Sequence, residues 1–75
     1  MEHKLLKIGE LANATGETVP TIRHWTQQGL LSVAEKTEGG YSLYSDEMIQ
    51  QIKKIRKLKD SNLYTLEGIK KELGL

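Results

Sequence analysis

The stretch TVPTIRHWTQQGLL, residues 18–31, decides the fold. It reads as one short helix with its own start and stop. Thr18 suits an N-cap, because a hydroxyl oxygen there accepts a backbone N–H two or three residues further on. Pro20 falls in the first turn, where a missing N–H breaks no helical bond, and Gly29 supplies the left-handed backbone that closes the helix. On a helical wheel Val19, Ile22, Trp25 and Thr26 fall on one side, at steps of three and four. Pro20, His24 and Gln27 occupy the centre of the other side, flanked by Thr21 and Arg23. Trp25 therefore reads as a packing anchor rather than a platform for base stacking, since its neighbours in the stripe are aliphatic. The opposite face offers a guanidinium, an imidazole, a hydroxyl and amides, and residues 18–31 contain no acid. Those groups match base edges and phosphates.

Working outward, Ile8, Leu11 and Ala12 share a helical face, which predicts a first helix over residues 10–14 with Gly16 as its stop. Two short helices joined by a tight glycine-containing turn are a helix-turn-helix. After Gly29 the pattern becomes extended. Val33 and Glu35 stand on one side of Glu38-Gly39-Gly40 and Tyr41 and Leu43 on the other, which predicts a β-hairpin wing with both glycines at positive φ. Tyr41 and Tyr44 are expected to cover the core beneath it. Ser45 is expected to cap a third helix with Asp46 and Glu47 in its first turn and Lys53, Lys54, Arg56, Lys57 and Lys59 in its last turns, a gradient that complements the helix dipole. Its apolar stripe, Met48, Ile49, Ile52 and Ile55, continues through Arg56 and Lys59 rather than Leu58. The final turn is thus expected to project past the core and offer its cations to phosphate. Residues 60–64 break the pattern, Thr65 caps a fourth helix with Leu66, Ile69 and Leu73 on one face, and Gly74 ends it. Gly68 weakens that helix by roughly 1 kcal/mol relative to alanine. The fold class expected is mainly α: a winged helix-turn-helix of about four helices and a small hairpin, forming a single domain over residues 1–75.

Composition narrows the functions available. A chain of 75 residues is close to the smallest that one hydrophobic core sustains. There is no cysteine and His3 and His24 are the two histidines, so disulfides and thiolate or multi-histidine metal sites are excluded as staples. No apolar run approaches the roughly 20 residues of a membrane span, and the first ten residues lack the apolar region of a signal peptide, so a soluble cytoplasmic protein is expected. The net charge of +1 hides an asymmetry: residues 1–30 balance, residues 31–52 sum to −3 and residues 53–75 to +4. A local basic field lets a near-neutral protein touch phosphate on one side. Catalysis is not expected. His24 has no nucleophile partner nearby in sequence, the glycines of EGGY lack a phosphate-loop pattern, and Asp46-Glu47 is explained by capping.

With these elements in place the sequence resembles the DNA-binding domain of the MerR family of bacterial regulators, from about residue 7 to residue 73. The carriers are KIGELANATG, TVPTIRHW, GLL, GGYSLYS and YTLEGIKKEL, in that order. The resemblance implies a second wing between the third and fourth helices, Thr21, Arg23 and His24 at the major groove, and both wings on flanking phosphates. Three positions depart from the family's pattern. His24 stands where an aromatic is usual, Thr26 where an acid is frequent, and Ser42 where the first wing has arginine; the backbone amides of Gly39 and Gly40 are partial substitutes. A typical member continues into a dimerisation helix and an effector domain, neither of which is expected within residues 1–75, so inducer sensing and a metal or other cofactor are not expected of them.

The expected function is sequence-specific binding of double-stranded DNA in transcription regulation. The recognition-helix residues are Thr18, Thr21, Arg23, His24 and Gln27, and those of the first wing are Gly39, Gly40, Tyr41 and Ser42. At the second wing and basic helix end they are Lys53, Arg56, Lys57, Lys59 and Tyr64, with residues 62–65 holding the backbone. A lone module makes few contacts, so self-association on DNA or a protein partner such as RNA polymerase, an integrase or an antirepressor is expected to add affinity. The alternatives are an excisionase-like recombination directionality factor and a protein-interaction module of the same fold.

Overall fold

The protein is described by a computed structural model covering residues 4–61 and 65–75. Its elements in chain order are β1 (Leu5–Lys7), α1 (Ile8–Thr15), α2 (Val19–Gln27), β2 (Glu35–Lys36), β3 (Ser42–Ser45), α3 (Glu47–Asp60) and α4 (Leu66–Glu72). The fold is mainly helical, with an antiparallel three-stranded sheet ordered β1-β3-β2. α1 and α2 are joined by the turn 16–18, which makes the helix-turn-helix, and β2 and β3 form the wing.

The punctuation of the helix-turn-helix is as the sequence dictates. Gly16 closes α1 at φ 74° and Gly29 follows α2 at φ 82°. The Thr18 hydroxyl accepts from the Thr21 N–H at 3.3 Å. α1, however, begins at Ile8 rather than residue 10, because the Lys7 N–H is satisfied by Glu10 Oε1 at 2.9 Å, which caps the helix two residues earlier. β1 was not foreseen. It pairs with β3 so that Leu6 lies opposite Tyr44, and both side chains are buried.

The hairpin differs from expectation in detail. Gly40 has positive φ, at 83°, and Gly39 does not. The Gly40 N–H donates to Thr37 O at 2.9 Å and the Tyr41 N–H to the Thr37 hydroxyl at 3.1 Å, which together tighten the tip. Tyr44 covers the core at 2% exposure, whereas Tyr41, at 71%, stands in solvent. Strand residues three apart point to opposite faces, so the two tyrosines cannot share one side. The cap of α3 is also shifted: Asp46 is the N-cap residue, and Ser45, the last residue of β3, accepts the Glu47 N–H on its hydroxyl at 3.2 Å.

The core is built from Leu6, Leu11, Ala12, Ile22, Trp25, Leu30, Leu31, Tyr44, Met48, Ile52, Ile55 and Ile69. Each helix contributes one stripe, and the exit from α2 is held by Gln51, whose Nε2 donates to Leu30 O at 3.0 Å. The last turns of α3 do not project past this core. Leu58 packs against it, Lys59 Nζ lies 5.3 Å from the centroid of the Trp25 ring, and Arg56 Nη1 donates to Thr15 O at 2.7 Å. The stripe runs on to those positions because α2 and the turn 16–18 lie there to receive it. Among the described residues, no buried side-chain nitrogen or oxygen lacks a hydrogen-bond partner, and no helix is long and apolar enough to cross a membrane.

Candidate nucleic-acid interface

α2 is held by its inner side. Ile22 is fully buried and Trp25 is 4% exposed, and the Thr26 hydroxyl donates to Ile22 O at 2.7 Å while meeting the Tyr44 hydroxyl at 2.9 Å. That hydroxyl pair joins the helix directly to β3 of the wing. The outer side carries Pro20, Arg23, His24 and Gln27, all exposed. Guanidinium and imidazole thus face solvent while the indole is sealed inside. Thr18 and Thr21 lie at the start of this face with their hydroxyls paired at 2.9 Å.

Two open grooves flank α2, each about 380 Å³. The first lies between the helix and the hairpin, with Arg23, Thr26 and Gln27 on one wall and Lys36, Gly40, Tyr41 and Ser42 on the other. Of the residues singled out in the sequence, Arg23 and Gln27 of the helix and Gly40, Tyr41 and Ser42 of the wing line this cleft, whereas Thr18, Thr21, His24 and Gly39 do not. Gly39 is at the tip, where a Cβ would come within 3.3 Å of the Tyr41 ring. Lys36 was overlooked as a candidate. It pairs across the hairpin with Ser42 and is the one base in residues 31–52, so strand register would have pointed to it as the cation beside position 42. The second groove lies on the other flank of α2. His24, Trp25, Gln28 and Leu30 form one side, and Lys59, Leu66 and Ile69 from α3 and α4 the other.

The basic residues of α3 are divided by this geometry. Lys59 lines the second groove beside His24. Lys57 lines a different one, with Lys54, Leu58, Glu72 and Leu73, and Lys53 is exposed on the helix surface. Arg56 is turned to the turn 16–18, with Nη1 on Thr15 O and Nε 3.7 Å from Glu17 Oε1. Asn62 and Tyr64 lie outside the described residues. The bond from the Gly68 N–H to the Thr65 hydroxyl, 3.2 Å, starts α4 where the sequence placed it.

A helix-turn-helix whose second helix is flanked by an antiparallel hairpin defines the winged helix-turn-helix class. Within it, residues 6–74 match the MerR HTH family regulatory protein; the chain belongs to that family and carries its helix-turn-helix DNA-binding domain. The nodulation protein NolA of Bradyrhizobium elkanii is 42% identical over 67 residues, covering 89% of this chain and 30% of that protein. The mercuric resistance operon regulatory protein of Bacillus cereus is 36% identical over 69 residues, covering 92% and 52%. The HTH-type transcriptional regulator ZntR of Escherichia coli K12 is 34% identical over 71 residues, covering 95% and 50%. The chain thus spans about half the length, or less, of these relatives. Among solved structures, a MerR-family transcriptional regulator from Bacillus cereus superposes with a TM-score of 0.80 at 25% identity, over 96% of this chain and 53% of that one. HiNmlR, a MerR-family regulator lacking the sensor domain and bound to promoter DNA, shares the fold at a TM-score of 0.75 and 24% identity, over 91% and 53%.

Proposed function

We propose that this chain binds double-stranded DNA sequence-specifically as a single reading module of a cytoplasmic transcription regulator, and that it is a binding module rather than an enzyme. The observation that carries this is the outer side of α2, where Arg23, His24 and Gln27 are exposed on a helix without acids. Arg23 and Gln27 have the donor and acceptor geometry for base edges in the major groove, at about 1–3 kcal/mol of discrimination for each good pair. The cleft beside α2 takes one phosphate strand, with Lys36, Tyr41 and Ser42 along its wing wall; the Gly40 N–H, which donates to Thr37 O, is not part of that contact. Lys59 and the start of α4 take the strand beyond His24. The relatives named as regulators, and HiNmlR on its promoter, support transcription regulation over the excisionase-like use.

With so few phosphate contacts, one copy binds one half-site weakly, and useful affinity requires neighbouring copies, sequence outside this chain or a protein partner. Fluorescence anisotropy on a labelled duplex between about 50 and about 200 mM salt tests it, because each neutralised phosphate adds about 0.9 to the slope of log K against log salt. The expected result is a linear fall. A flat response removes the phosphate contacts, and absence of binding to any duplex at low salt favours a protein-interaction role.

A further inference from the structure

The turn between α1 and α2 brings two helix ends of opposite polarity together. The end of α1 presents carbonyls with no partner inside the helix, and the start of α2 presents N–H groups in the same position. At the α1 end, Ala12 O is taken by the Gly16 and Glu17 N–H groups and Leu11 O by the Thr15 hydroxyl at 2.8 Å. Thr15 O is met from outside, by Arg56 Nη1 at 2.7 Å. Glu17, immediately before the α2 cap, approaches the same guanidinium at 3.7 Å, and its side chain is 18% exposed against 51% for Arg56. A cation therefore stands at the negative end of α1 and an anion at the positive end of α2, bridged across the turn. Gly16 is fitted to this turn by its positive φ of 74°, while a Cβ there would meet Nη1 only in ordinary contact, at 4.0 Å.

We infer that Arg56 and Glu17 form a clamp that fixes the angle between α1 and α2, so that Arg56 is a positioning residue for the reading face of α2 rather than a phosphate contact. Both ends of the clamp are at the turn, and α2 is one continuous helix from Val19 to Gln27, so a change of angle at residues 16–18 grows along the helix toward Arg23, His24 and Gln27. Discrimination between sequences depends on that placement more steeply than attraction to phosphate does. The paired carboxylate also cancels the Arg56 charge where a phosphate contact would need it. The inference rests on the DNA-binding reading for its consequence, and on the turn alone for its geometry.

The two roles make opposite predictions for Glu17→Gln. Removing an acid from a DNA-binding protein strengthens binding if charge alone matters; loss of the clamp weakens it. Affinities of the unaltered chain, Arg56→Gln, Arg56→Lys and Glu17→Gln are measured on a selected half-site and on random duplex across salt, well below each variant's melting temperature. Arg56→Gln and Glu17→Gln are expected each to lower the ratio of specific to random binding about tenfold, the scale of one lost charge-assisted hydrogen bond, with the salt slope unchanged and partial rescue in Arg56→Lys. In the protein without DNA, both are expected to speed amide exchange at Gly16, Glu17 and Ile22. A salt slope reduced by about one in Arg56→Gln, or tighter binding by Glu17→Gln, overturns the clamp. Unchanged amide exchange overturns it independently of DNA, so the clamp remains testable even if the chain binds no duplex.

Discussion

Replacing Tyr44 by phenylalanine and Thr26 by valine, singly and together, separates a hydrogen bond from the cost of leaving it half made. The Thr26 hydroxyl has one hydrogen, and the 2.7 Å contact with Ile22 O uses it. The Tyr44 hydroxyl, 2.9 Å away, must therefore be the donor to Thr26 Oγ1. Tyr44→Phe removes the donor and leaves Thr26 with its helix bond intact, a loss of about 1 kcal/mol. Thr26→Val is worse, although valine and threonine have similar helix propensity. It strands the hydroxyl of a tyrosine that is 2% exposed, which costs about 1–3 kcal/mol. Replacing both partners by isosteres leaves nothing unpaired, so the double variant is expected to be more stable than Thr26→Val alone. For a domain of this size each kcal/mol moves the melting temperature by about 4–8 °C. Thermal unfolding followed by circular dichroism reads all three. Additive losses, or a Tyr44→Phe loss exceeding that of Thr26→Val, would show that the donor and acceptor have been assigned wrongly.

Thr18→Ala removes the oxygen that receives the Thr21 N–H and is expected to destabilise by about 1 kcal/mol in urea unfolding. Gly40→Ala meets no neighbour within 4 Å but carries φ 83°, so its cost of about 1 kcal/mol is conformational and appears in stability rather than in packing. Lys59→Met keeps the stem of the side chain and removes the ammonium 5.3 Å from the Trp25 ring centroid. It is expected to lower stability by about 0.5–1 kcal/mol, seen in thermal unfolding, and to change the tryptophan fluorescence of the native protein.

How far the sequence foretells this molecule depends on the range of the forces involved. Gly16, Thr18 and Gly29 act within one turn of where they stand, and the helix-turn-helix was legible from them. The sides of α2 followed from the 3.6-residue period, and Trp25 and Arg23 lie where that period puts them. β1 was not legible, because Leu5–Lys7 is too short to display alternation and exists through its pairing with β3. The tyrosines were a missed inference rather than a hidden one, since the two-residue period of a strand already places residues 41 and 44 on opposite faces. For the interface, the α2 face was visible and Lys36 was recoverable from hairpin register. Arg56 was not, because the carbonyl that holds it is 41 residues away in the chain and no local pattern announces it. The wheel had put Arg56 and Lys59 on the inner side of α3; what it lacked was knowledge that the turn and Trp25 waited there.

The most direct test of the α2 interface is selection of bound duplexes from a random pool, carried out in parallel with the unaltered chain and with Arg23→Ala. A shared half-site in which Arg23→Ala relaxes the preference at one or two adjacent base pairs, at a cost of about 1–3 kcal/mol, is the predicted result. Recovery of the same sequence with the same affinity by both proteins would mean that this side of the helix does not read DNA.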